Sequence, residues 1–224
     1  MRDTLVNKAL WIGVPVALIL IQLAIEVFCS GSTKELLLQE GGPHETLQAF
    51  LMAISFFLAT YLTIRVKGKW LKIWFGIAAL ASFYVAGEEV SWGQWIFYWD
   101  TPEGWAAIND QNETNLHNTS SWFDQKPQII LQIGVLMGGI IIPLLKIFNP
   151  AKLPQKFKDI YGDYQLLPTA LIALSLKITD TLCDALQWKF FWRISEVLEL
   201  YLFYFVALYL YTMIRKFFKA TETP

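Results

Sequence analysis

The sequence predicts an all-α, polytopic integral membrane protein with six transmembrane helices and with both termini in the cytoplasm. Hydrophobic residues make up 55% of the 224 residues and aromatic residues 16%, which is more apolar than an ordinary soluble domain. The apolar residues are concentrated in long runs such as 9–28 and 129–145. A spanning helix needs ~20 mainly apolar residues, so these runs fit a bilayer better than a soluble core.

Six apolar segments can be placed along the chain, and each is long enough to span a membrane as a helix. Their predicted bounds are 9–29, 46–64, 70–97, 128–147, 166–186 and 195–214. No internal repeat or linker separates them, so we predict one membrane domain over residues 1–224. The first segment resembles a signal peptide, but it is long for one and no small-residue cleavage motif follows. We therefore interpret it as a retained helix.

The charges between the segments predict the orientation. Basic residues cluster at both chain ends and in the loops after the second and fourth segments: Arg2, Lys8, Arg65, Lys67, Lys69, Lys72, Lys146, Lys152, Lys156, Lys158, Arg215, Lys216 and Lys219. Short basic loops stay in the cytoplasm, which predicts cytoplasmic termini. Six spans, an even number, also place both termini on the same side of the membrane. The longest loop, 98–127, then lies on the outer, periplasmic side together with most of the acidic residues.

Two adjacent carboxylates, Glu88 and Glu89, stand at the outer end of the third segment. Ionised carboxylates are costly in hydrocarbon and usually face a bundle interior, an aqueous cavity or an ion. On a continuous helix Glu88 would share one face with Ser91, Trp92 and Trp95 through i, i+3, i+4 and i+7 spacing. That face combines an acid, a hydroxyl and indole donors. It suits a catalytic base, and it suits equally a hydrogen-bonded network that locks helix packing.

The outer loop contains a run, 109–118, that is dense in amides and acids. Long loops without clear secondary structure are often functional. Glu113 and His117 are four residues apart, so a short helical turn would place them side by side. The alternative is a solvated loop whose asparagines form Asx-turns.

Polar groups from several helices and this loop share the level of the outer leaflet, which predicts a polar pocket there. The predicted catalytic residues are Glu88, Glu89 and His117, and the predicted substrate contacts are Ser91, Trp92, Gln94, Trp95, Asn112 and Asn115. Carboxylates with a histidine also suit a divalent cation, either Mg²⁺, Ca²⁺ or Mn²⁺, or Zn²⁺ through His117. Its predicted ligands are Glu45, Glu113, Asp184 and Glu199.

Several of these polar residues also have structural explanations. Glu45 opens the second segment, where a carboxylate meets the positive end of the helix dipole. Lys177 and Asp180 can pair within the fifth segment. Cys29 and Cys183 both fall near outer helix ends. A disulfide in the oxidising periplasm and two free cysteines are both compatible with that position.

Three functions fit these observations. The first is a metal-assisted hydrolase or transferase that acts on a lipid or lipid-linked substrate taken from the membrane. The second is ion or small-solute transport, which predicts polar groups continuing toward the cytoplasm; the inner halves of the helices offer few. The third is a non-catalytic membrane assembly protein. Nucleic acid is not an expected partner because the basic loops are short and cytoplasmic. The chain has no HExxH motif, GxSxG elbow, Walker loop or Rossmann fingerprint.

The motifs at Gly87–Gln94 and Gln111–Asn118, with Thr101-Pro102-Glu103 between them, resemble a family of bacterial multi-pass inner-membrane proteins. That family carries the patterns GEExSWGQ and QNETNLHN. The resemblance implies a multi-pass protein of the bacterial inner membrane and lends no activity. A weaker architectural analogy is to intramembrane ceramidase-like hydrolases, which hold zinc with three histidines. It fails because this chain has only His44 and His117.

Overall fold

The computed structural model describes residues 8–39, 41–109, 111–188 and 191–219, and within these ranges every regular element is a helix. Six of the helices are long and apolar enough to cross a membrane. This confirms the predicted all-α class and the prediction of six helices that are long and apolar enough to span a membrane. The two chain ends, predicted to be cytoplasmic, lie outside the described residues, and the orientation in the membrane stays a prediction.

The α-helices are α1 (Val14–Phe28), α2 (Gly31–Leu38), α3 (Pro43–Arg65), α4 (Lys69–Glu88), α5 (Gln94–Phe97), α6 (Glu103–Ala106), α7 (Ser121–Val135), α8 (Ile142–Phe148), α9 (Leu167–Leu186) and α10 (Ile194–Ile214). π-Helical stretches precede α1, join α7 to α8 and follow α10: Ala9–Gly13, Leu136–Ile141 and Arg215–Lys219. Short 3₁₀ turns lie between the other helices: Ser91–Gly93, His117–Thr119, Pro150–Lys152, Gln155–Ile160 and Tyr164–Leu166.

Two helix boundaries and one short helix differ from the sequence-based prediction. The third spanning helix was expected to continue to residue 97, but α4 ends at Glu88. The fourth was expected to begin at residue 128, but α7 begins at Ser121, because hydropathy marks the apolar part of a helix and not its polar extension. The short helix α2 was not predicted; the Ser30 hydroxyl caps it by accepting from the Thr33 amide.

Helix α10 lies at the centre of the bundle. Within its span 72% of the residues are buried, compared with 11–33% in the other five. A helix that is apolar on all sides is one that other helices surround, and α10 packs against α3 and α9. Helix α4 packs on α3 at the periphery of the bundle. The tertiary structure is therefore organised around the last spanning helix.

Tyrosine hydroxyls fix the position of α10 against its neighbours. Tyr201 donates to the Pro15 carbonyl at 2.6 Å, and Tyr204 donates to the Leu10 carbonyl. Near the other end of α10, Tyr209 donates to the carbonyl of Ile160 at 2.9 Å. Since a buried hydroxyl is costly without a partner, these bonds select one register of α1 along α10.

The bundle has two chemically different ends. At one end Lys216 donates to the carbonyls of Lys158 and Asp159, both at 2.9 Å. The other end, which we call the site end, carries the last turns of α1, α4 and α9 and the first turns of α3, α7 and α10.

Cys29 and Cys183 are both free. The predicted pair of Lys177 with Asp180 is confirmed at 2.9 Å.

We expect Tyr201→Phe to lower the free energy of unfolding by about 0.6 kcal/mol, a typical value for an interhelical hydrogen bond in a membrane protein. Tyr211→Phe is the matched control, because Tyr211 lies on the same helix and makes no hydroxyl bond among the described residues. Denaturation of both variants in mixed micelles provides the measurement. Equal losses in the two variants would show that the Pro15 contact contributes nothing specific.

Candidate functional site

The chain reverses direction directly after α4. Ser91, Trp92 and Gly93 all have positive φ angles, of 46°, 54° and 106°, and α5 begins at Gln94. Left-handed backbone is natural for glycine but strained for serine and tryptophan. The predicted continuous helix to residue 97 is therefore wrong, and with it the expectation that Trp95 shares a helical face with Glu88.

The Glu88 carboxylate stabilises this reversal. Its Oε1 accepts from the Trp92 indole at 2.6 Å, and its Oε2 accepts from the Leu116 amide at 2.7 Å. The Tyr84 hydroxyl also hydrogen-bonds this carboxylate. Glu88 is only 3% exposed, and charge-assisted bonds are what make such burial tolerable. Glu88 therefore joins α4 to the outer loop.

A second buried carboxylate, Glu113, organises the loop itself. Its Oε2 accepts from the Ser91 hydroxyl at 2.6 Å and from the Asn115 amide group. The Asn109 side chain accepts from the amides of Gln111 and Glu113, both at 3.0 Å, which is the predicted Asx-turn. Hydrogen bonds among its own polar groups thus help to fix the conformation of the amide-rich run.

The helical turn that was predicted to place Glu113 beside His117 is absent. Residues 112–116 have no helical turn, Asn112 has a φ of 58°, and a 3₁₀ turn begins only at His117. Glu113 points instead to Ser91, because burial of its charge requires the hydroxyl and amide donors there. The His117 side chain lies outside the described part of the structure.

Other predicted substrate contacts hold the loop together. The Gln94 side-chain oxygen accepts from the Thr114 amide at 2.8 Å, and its nitrogen donates to the Thr101 hydroxyl at 2.8 Å. The Asn112 carbonyl accepts from that same hydroxyl. A Cβ on Gly41 would stand 2.7 Å from the Trp95 ring, so Trp95 packs on the turn before α3.

The same close packing explains a glycine in the GEE motif. A Cβ on Gly87 would lie 2.9 Å from the Trp92 ring. Glycine at this position allows the indole to lie flat on α4, where its N–H reaches Glu88. Trp92 therefore belongs to the frame of the site.

A cavity of about 350 Å³ opens at the site end between α4, α7 and α10. We call it the acid pocket. Its glutamates are Glu45, Glu88, Glu89, Glu196 and Glu199; its other polar residues include Gln111, Asn118, Gln128, Arg193 and Ser195. The residues that line it furthest from the site end are mainly apolar: Tyr84, Val85, Leu131, Leu202 and Phe203. The cavity is therefore acidic at its mouth and hydrocarbon-like at its deep end.

The acid pocket brings together some of the predicted site residues and not others. Glu45, Glu88, Glu89 and Glu199 line it. The predicted contacts Ser91, Trp92, Gln94, Trp95, Asn112 and Asn115 do not, and neither do the predicted metal ligands Glu113 and Asp184. Asp184 is exposed on α9. The predicted carboxylates therefore located the cavity better than the predicted amides did, because the amide side chains form hydrogen bonds within the loop.

Hydrogen bonds hold most of the pocket acids in place. Glu45 accepts from the Gly41 amide at 2.7 Å, in the first turn of α3, as the dipole argument predicted. Glu199 accepts from the Gln128 side chain at 2.7 Å. Glu196 pairs with Arg193 at 3.0 Å. Among the described residues that line the pocket there are thus five carboxyl groups and one guanidinium.

Arg193 and Gln128 are functional-site residues that sequence reasoning missed. Arg193 precedes α10 with a φ of 46°, and it donates to the Leu38 carbonyl at 2.6 Å as well as to Glu196. Its position directly before two glutamates of an apolar helix was the available signal. Gln128 offered none beyond being a polar residue near the start of an apolar segment.

The acids do not form a metal centre in this arrangement. Among the side chains that the structure describes, no three His, Cys, Asp or Glu groups are placed to hold one ion. Of the four predicted ligands only Glu45 and Glu199 share the pocket. The predicted divalent-cation site is therefore not supported.

Comparison of the chain with family models, with curated proteins and with solved structures found no match. The chemistry of the acid pocket is accordingly interpreted from its own geometry.

We expect Glu88→Gln to lower the free energy of unfolding by about 2 kcal/mol, since it removes the charge from two charge-assisted bonds of a buried side chain. The substituted amide would also set its own N–H₂ against one of those donors. Denaturation in mixed micelles measures the effect. Glu89→Gln is the matched control, because Glu89 is half-buried and lines the pocket. An equal effect of the two substitutions would contradict the framework role of Glu88.

Proposed function

We propose that this chain is a multi-pass membrane enzyme that hydrolyses a lipid or lipid-linked substrate, or transfers a group from it, in the acid pocket. The observation that carries the proposal is the lining of the cavity. Five glutamates and one arginine line the cavity toward the site end, and mainly apolar side chains line it further along the helices. Such a cavity matches a molecule that is polar at one end and apolar at the other.

The chemistry of the lining restricts the head group. An ionised carboxylate only accepts hydrogen bonds, so a head group that binds beside the ionised acids must supply donors such as hydroxyl or amine groups. The excess of carboxylates repels an anionic group. The basic loops at the opposite end favour an outward-facing pocket, and we propose the bacterial inner membrane as its location.

Glu89 and Glu199 are the proposed acid–base residues. They line the pocket from different helices, at the end of α4 and one turn into α10, and both are half-buried. One carboxylate would take the proton of the attacking water or hydroxyl, and the other would give a proton to the departing oxygen. Glu88 positions the end of α4, because its oxygens are committed to Trp92 and Leu116.

The deep end of the pocket supports binding over passage of a solute. Leu202 and Phe203 line it and are only 1% and 6% exposed. A transport pathway needs polar groups that continue across the bilayer. The proposal gives no role to a divalent cation, because no three suitable ligands come together within the described residues.

We expect Glu89→Gln and Glu199→Gln each to reduce turnover by about 100-fold or more, the usual contribution of a general acid or base. The purified protein is reconstituted with a total bacterial lipid extract and, separately, with lipid-linked sugars. Mass spectrometry of the lipids before and after incubation measures product formation.

Glu35→Gln is the control, since Glu35 is exposed on α2 and does not line the pocket. Unchanged lipids with the wild-type protein, or full turnover by both pocket variants, would overturn the proposal. Cation flux into the proteoliposomes that depends on Glu89 or Glu199 would replace it with the transport function.

A further inference from the structure

A second cavity, of about 220 Å³, lies between α7 and α9. We call it the α7–α9 groove. Its walls and floor are mainly apolar and include Ile129, Ile133, Ala173, Leu174, Leu198 and Leu202. The Lys177 ammonium at the groove is paired with Asp180 at 2.9 Å, so its charge is compensated. The groove is therefore chemically suited to a hydrocarbon chain.

One polar atom in this groove lacks a partner. Gln132 lines the groove, and its Nε2 is buried with no hydrogen-bond acceptor among the described residues. A buried donor without an acceptor is costly, and the bilayer core offers no water to satisfy it. An occupant of the groove that brings a carbonyl oxygen would remove this cost.

The position of the groove identifies the occupant. Both of its walls belong to spanning helices, those at Lys126–Phe148 and Tyr164–Leu186. Gln132 is six residues beyond Lys126, about 9 Å along a helix of 1.5 Å rise per residue. Lipid chains are the surrounding medium at this depth, and the acceptor that such a chain carries near its polar end is the ester carbonyl.

The groove adjoins the acid pocket. Leu202 lines both cavities, while its neighbours Leu198 and Glu199 line one each. On α7, Gln128 faces the pocket and Gln132 faces the groove, one helical turn apart. The two cavities are therefore adjacent at Leu202, and displacement of that side chain would let a single molecule place its head in the pocket and one chain in the groove.

We propose that the α7–α9 groove holds an ester-linked acyl chain of a glycerolipid, and that Gln132 Nε2 donates to the ester carbonyl. This inference rests on the proposed function, because it assigns the chain to the substrate whose head group enters the acid pocket. It adds a substrate class, an acylated glycerolipid, and a specificity residue, Gln132.

The test uses the full-length protein in detergent and a diacylglycerol that carries a photoreactive diazirine in one chain. Illumination followed by peptide mass spectrometry is expected to map labelling to residues 129–136 and 170–174. Dioleoylglycerol is expected to displace the probe about fivefold better than its diether analogue, which lacks the carbonyl. Gln132→Leu is expected to remove that difference while the protein keeps its elution profile in size-exclusion chromatography.

Leu174→Trp narrows the groove and is expected to reduce labelling. Leu171→Trp is the matched control, because Leu171 is also an exposed leucine of α9 but does not line the groove. Labelling spread evenly over the lipid-facing helices, or an ester preference that persists in Gln132→Leu, would overturn the inference.

The two proposals fail in different ways. Specific labelling of the groove without any lipid turnover would remove the enzymatic function and leave the groove assignment standing. Turnover that depends on Glu89 and Glu199, with labelling that never maps to the groove, would remove the groove assignment and leave the enzymatic function standing.

Discussion

The structure of the site end depends on how one buried carboxylate is satisfied. Glu88 closes α4, where the negative end of the helix dipole disfavours an anion, and it is almost completely buried. Donors must therefore come from elsewhere in the chain, and the Trp92 indole and the Leu116 amide supply them. The Leu116 amide can reach Glu88 only because the chain returns to α4, and the left-handed residues Ser91–Gly93 begin that return. The fold of the outer loop follows from that requirement.

Burial divides the acids of the site end into two groups. Glu88 and Glu113 are held by several donors each and form the frame. Glu89 and Glu199 are half-buried and line the cavity. A carboxylate that must stay ionised to hold a loop is a poor proton carrier, whereas one at a cavity wall can exchange protons with a bound molecule. This division, and not the number of acids, locates the proposed chemistry.

The position of α10 gives the site its amphipathic character. The helix is surrounded by the others, so its first turns bring Glu196 and Glu199 into the acid pocket while Leu198 and Leu202 reach the α7–α9 groove. Helix α7 runs beside both cavities and contributes Gln128 to one and Gln132 to the other. A polar and an apolar cavity thus share a wall at the site end of the bundle.

The sequence alone determined the all-helical class and six helices that are long and apolar enough to cross a membrane, because hydropathy and helix length depend on local composition. It also indicated the first-turn role of Glu45 and the pair of Lys177 with Asp180, which are contacts within one helix or its first turn. Only the tertiary structure decided which acids share a cavity. The break after Glu88 depends on donors at Trp92 and Leu116, and Leu116 is 28 residues away. The meeting of Glu199 with Gln128 across 71 residues depends on helix packing. Such distant contacts leave no periodic pattern in a single sequence, which is why the amides were overvalued as ligands and Arg193 was missed.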